Sequence, residues 1–125
     1  MANKKNISDE TLAVQSGRNG LAHNGCVNVP VYRASTILFP TMEAYREAEK
    51  GKAFYDGSKN VKSRDLCYAT TGTPTSFAFQ EAIADLEGGD HTLTFPTGLS
   101  AITNTLLSFL KAGDHLLMVD TVYGP

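Results

Sequence analysis

The sequence predicts an α/β fold, on three observations. Residues 91–119 read as strand, helix and strand with short links, the pattern of a right-handed parallel crossover. Within them, Leu116-Leu117-Met118-Val119 is a continuous apolar run, as expected of a strand buried on both faces. The texture of the chain also changes at about residue 70, from punctuated and loop-rich to alternating helix and strand.

The elements follow in order. Ser8 is placed to cap a short helix over 9–16, with Asp9 and Glu10 in its first turn and Gly17 at its end. Residues 17–29 carry Gly17, Gly20, Gly25 and three Asn, which reads as loop. Residues 27–38 are extended, and Pro30 places them at a sheet edge or outside a sheet. Thr41 caps a second helix over 42–50, ended by Gly51. Residues 51–66 are polar and hold the basic cluster Lys59, Lys62 and Arg64. Much of this half cannot bury itself locally, and is expected to lie over a later domain or another subunit. Thr73 then caps a helix with Pro74 at its first position. Phe79, Ala82, Ile83 and Leu86 form its apolar stripe, and Gly88-Gly89 closes it. Residues 91–95 are a short strand. A helix over 100–111 places Ile102, Leu106, Phe109 and Leu110 on one side, with Gly113 as its stop.

At 125 residues the chain has the length of one ordinary domain, and 42% apolar residues supply a core. A formal charge of −2 gives no electrostatic case for nucleic acid or an anionic membrane. No apolar run spans a bilayer, and the N-terminus leads into Asp9 and Glu10, unlike a secretory signal. Cys26 and Cys67 lack metal-ligand spacing, and His23, His91 and His115 share none either. The expectation is a reduced, cytoplasmic protein without a metal site. Asp85, Glu87, Asp90 and Asp114 are helix-end and turn acids. Ser100 lacks a nucleophile elbow and a triad partner.

The chemistry concentrates at Phe95-Pro96-Thr97-Gly98-Leu99-Ser100, where a strand end turns into a helix start. The amides of Gly98, Leu99 and Ser100 are expected to point outward with the positive end of the helix dipole, and glycine admits a ligand close to the backbone. A phosphate is the natural occupant. A tight turn without ligand is the alternative. Tyr123 follows the next strand on the same rim, where it can stack on a planar ring or else pack on a later helix. A phosphate seat and an aromatic plate suggest a phosphorylated aromatic cofactor.

Several stretches together carry a resemblance. They are Asn28-Val29-Pro30-Val31-Tyr32-Arg33-Ala34-Ser35-Thr36, Tyr68 with Gly72-Thr73-Pro74-Thr75, Leu86-Glu87-Gly88-Gly89, Pro96-Thr97-Gly98, and Gly113-Asp114-His115 through Tyr123-Gly124-Pro125. In this order they resemble the start of the transsulfuration family of pyridoxal-phosphate enzymes, from about Thr11 onward. Gly72-Thr73-Pro74-Thr75 is closer to the bacterial cystathionine β-lyase branch, which has Gly-Thr where the others have Asn-Pro. The resemblance implies an N-terminal arm over 1–60 that lies on a neighbouring subunit. It implies that 61–125 begin the large cofactor domain of a fold-type I, aminotransferase-like enzyme, incomplete in this chain. Gly98 and Leu99 match the residues whose amides hold the cofactor phosphate. Tyr123 matches the tyrosine stacked on the pyridine ring, and Tyr68 a tyrosine that reaches the phosphate of the neighbouring subunit. The implied assembly is a homotetramer with active sites shared across dimers. The implied activity is a carbon–sulfur lyase of methionine biosynthesis acting on cystathionine.

Two departures stand out. The family usually has an arginine two positions after the Tyr68 equivalent, where this chain has Thr70, which brings no charge. Arg64 is a candidate to supply that charge; a solvated basic loop with Lys59 and Lys62 is the alternative. Further, the family's reactive lysine, the aspartate on the pyridine nitrogen and the arginine for the substrate carboxylate all match positions beyond Pro125. The lysines at 4, 5, 50, 52, 59, 62 and 111 do not follow a strand on a ligand rim, so the 125-residue chain is expected to be inactive alone. Alternatives are a γ-synthase, γ-lyase or sulfhydrylase of the same family, a non-catalytic assembly module, and an independent phosphate- or nucleotide-binding α/β domain.

Overall fold

The computed structural model describes residues 7–18, 20–50 and 66–124. They fall into two units that divide between Leu93 and Thr94.

The described residues of the first unit hold three α-helices. Helix α1 is Asp9–Gln15, and the Ser8 hydroxyl accepts from the Thr11 amide at 3.4 Å at its start. This places one acceptor on a donor that the helix itself leaves unpaired. Gly17 follows at φ 72°, a backbone that L side chains rarely adopt. The loop expected after it holds a 3₁₀ turn over Gly20–His23. Helix α2 is Met42–Lys50, and the Thr41 hydroxyl accepts from the Ala44 amide at 3.1 Å, as the sequence predicts. Helix α3 is Pro74–Glu87, with proline at its first turn, where no amide is needed. Its start is closed by the Thr73 amide donating to the Ser76 hydroxyl at 2.8 Å. Gly88 ends it at φ 67°, and the Gly89 amide donates back to the Ala84 carbonyl at 2.9 Å.

α1 packs on α3. Gly17, two residues past α1, lies against α3: a Cβ there would collide with the Ala78 carbonyl oxygen. Among its described residues, Cys67, Gln80 and Ala84 are buried. The expected stripe on α3 is corrected accordingly. Phe79 is 57% exposed and Leu86 is exposed, while Ala82 and Ile83 are half-buried. The face turned inward runs through Gln80 and Ala84, one helical turn apart, and a polar member hides it from an apolar-pattern reading.

Residues 27–38, expected to be extended, hold no helix or strand and bend at 27–28 and at 35. They meet the rest of the unit through one antiparallel bridge, Thr36 with Tyr68, and through Thr75. The Thr75 hydroxyl accepts from the Tyr32 amide and donates to the Pro30 carbonyl, both at 2.8 Å. His23 Nδ1 and the Tyr32 hydroxyl lie 3.3 Å apart with tilted rings.

The second unit holds helix α4, Gly98–Phe109, followed by a turn. The turn is closed by the Lys111 amide donating to Asp114 Oδ2 at 2.8 Å. The helix starts and stops two residues earlier than the predicted 100–111. The strands predicted at 91–95 and 116–119, and with them the parallel crossover, are corrected: among the described residues there is no strand, and 114–119 carry no regular structure and are exposed. A strand exists only through a neighbouring ladder, so an apolar extended run without one stays unpaired. Leu117 is 98% exposed.

Gly51 and the basic cluster Lys59, Lys62 and Arg64 lie outside the described residues.

Candidate functional site

Gly98 and Leu99 occupy the first two positions of α4. Their amides cannot find acceptors within the helix, because the carbonyls four residues back precede it. Ser100 differs from expectation. Its amide donates to the Thr97 hydroxyl at 3.1 Å, so the capping threonine takes the third donor and leaves the first two as the ones a ligand can use. The sequence signal for this was present, since a threonine directly before a helix start is a preferred cap.

Gly98 itself has an ordinary negative φ, and a Cβ on it would meet no atom of this chain within 4 Å. Neither backbone strain nor internal packing requires glycine here. The space beside Gly98 is open to a close approach from outside. The donor set fits a phosphate: two adjacent amides at the positive end of a twelve-residue helix.

Tyr123 belongs to the same unit and is 88% exposed, so its ring is available to stack. Tyr68 belongs to the first unit. Its backbone is extended (φ −146°, ψ 123°), and its carbonyl accepts from the Thr71 amide at 2.9 Å and the Thr71 hydroxyl at 2.7 Å. The residue is 42% exposed. Thr70 lies in the 3₁₀ turn Ala69–Thr71 and is exposed. Ser35 and Thr36 meet the Tyr68 segment: the Ser35 carbonyl accepts from the Ala69 amide at 2.9 Å, and Thr36 pairs with Tyr68. Among the described residues no group of His, Cys, Asp and Glu could hold a metal, and no helix is long and apolar enough to cross a membrane.

The family model for Cys/Met metabolism PLP-dependent enzymes matches residues 10–125. This chain belongs to that family. Pyridoxal phosphate is the family's cofactor and fold-type I its architecture. Among curated relatives, an L-alanine/L-glutamate racemase of Wolbachia pipientis is 40% identical over 117 residues, 94% of this chain and 29% of that protein. The cystathionine β-lyase of Salmonella typhimurium is 39% identical over 116 residues, 93% of this chain and 27% of that protein. The cystathionine β-lyase of Escherichia coli is 37% identical over all 125 residues, which is 29% of its own length. The chain thus spans under a third of the relatives it matches.

Proposed function

We propose that this chain is the N-terminal part of a cytoplasmic, pyridoxal-phosphate-dependent carbon–sulfur lyase, a cystathionine β-lyase. The overall reaction takes cystathionine and water to homocysteine, pyruvate and ammonia. The observation that carries this reading is the helix start at Gly98. There two free amide positions and an unexplained glycine coincide with the family's motif order, and several relatives are named for this reaction.

Gly98 and Leu99 would hold the cofactor phosphate through their amides and the α4 dipole. The Tyr123 ring would stack on the pyridine and keep water from that face. Tyr68 would donate its phenol to the phosphate of a neighbouring subunit, reached by an arm over 1–60, in a homotetramer. When bound, pyridoxal phosphate supplies an electron sink for negative charge developing beside the amino group of the substrate. The catalytic groups are assigned outside residues 1–125, so the isolated chain is expected to show no turnover. Thr70 leaves the phosphate charge to be met by amides, hydroxyls and groups elsewhere.

The racemase relative supports a second reading, since one cofactor can serve proton exchange at an α-carbon as well as elimination. Product analysis of the full-length protein separates the readings. Pyruvate and homocysteine from cystathionine are expected. 2-Oxobutyrate and cysteine would mark a γ-lyase. D-alanine from L-alanine without any oxo acid would mark a racemase.

A further inference from the structure

Two attachments join residues 30–36 to residues 68–75. At one end, the Thr75 hydroxyl accepts from the Tyr32 amide and donates to the Pro30 carbonyl, both at 2.8 Å. One hydroxyl thereby satisfies a donor and an acceptor of extended backbone, in place of a strand partner. At the other end, the Ala69 amide donates to the Ser35 carbonyl at 2.9 Å, and Thr36 pairs antiparallel with Tyr68. The two attachments close a ring of chain that contains Tyr68. Thr71 holds the Tyr68 carbonyl from the other side. The backbone of Tyr68 is therefore held in both directions, and its side chain leaves the chain from that fixed point.

We propose that Thr75 is a positioning residue. Its hydroxyl locks the extended arm onto the Tyr68 segment, so that arm and phenol meet a cofactor phosphate as one rigid piece. The inference rests on the reading of Tyr68 given above. Thr75 acts through backbone and touches neither cofactor nor substrate. Valine at 75 keeps the shape but leaves the Tyr32 amide and Pro30 carbonyl without this partner, whereas serine keeps both bonds.

The test is the pyridoxal-phosphate affinity of the full-length holoprotein, measured by equilibrium dialysis well below the unfolding temperature. Thr75→Val is expected to weaken it about tenfold and Thr75→Ser by no more than about twofold. Tyr68→Phe is expected to weaken it about tenfold. The double variant should match Tyr68→Phe within about twofold, because Thr75 works through that phenol. Multiplicative losses in the double variant, or an unchanged affinity in Thr75→Val, overturn the proposal. An unchanged affinity in Tyr68→Phe overturns the reading of Tyr68 instead. A measurement on the wild type needs no variant to fold: the Tyr32 amide should exchange its hydrogen at least about tenfold more slowly than an open chain. An unprotected amide at Tyr32 also overturns the proposal.

Discussion

Gly17 and Gly98 belong to different units and stand in opposite surroundings. Gly17 is fixed from within: its φ is 72°, and the Ala78 carbonyl leaves no room for a Cβ. Gly98 has ordinary backbone and open space around it. The first unit is built by contacts of its own, with α1 on α3 and the arm pinned by Thr75. The second unit consists of a helix and extended chain with none of its described residues buried. One glycine is therefore required by contacts among the described residues, and the other is not.

The same substitution at the two positions breaks that comparison most sharply if it is wrong. Gly17→Ala adds a methyl into carbonyl oxygen on a left-handed backbone. The expected cost is about 3 kcal/mol of stability in the first unit, read from urea denaturation followed by circular dichroism. Gly98→Ala should leave stability within about 0.5 kcal/mol, or raise it slightly, because alanine is the better helix former. Equal losses at both sites would remove the distinction between them.

A smaller effect sharpens the account of α1. The backbone at its start, and then the Ser8 hydroxyl, hold the Glu10 carboxyl below its ordinary value. The folded-state pKa is thus depressed. Its contribution to stability is present above the unfolded value and is lost as pH falls through the folded one. Glu10→Gln should therefore reduce, slightly, the loss of stability between neutral and acid pH. The midpoint of thermal unfolding across that range measures it, and a larger acid sensitivity in the variant would reverse the assignment.

What the sequence makes legible here is what the chain decides locally. Thr41 before α2, Thr73-Pro74 before α3 and Gly88 after it each act within a turn or two, and each element stands where those residues place it. The strands expected at 91–95 and 116–119 depend on a neighbour far along the chain, which no local pattern supplies. On α3, Gln80 is buried where an apolar residue is expected, so the stripe through Phe79 and Leu86 points to the wrong face. At the candidate site, the sequence marks Gly98 and Leu99 as a helix start and Tyr123 as an exposed ring, and their role as phosphate seat and stacking plate is the proposal. Thr97, which takes the Ser100 amide, and Thr75, which ties the arm, carry the same hydroxyl as many surface threonines. Only their partners distinguish them.

The central claim is that Gly98 is glycine for the sake of a bound phosphate. The most direct measurement is the pyridoxal-phosphate affinity of the full-length protein carrying Gly98→Ala, beside its unfolding midpoint. An affinity about tenfold weaker with an unchanged midpoint is the expected result. Wild-type affinity in that variant would contradict the claim.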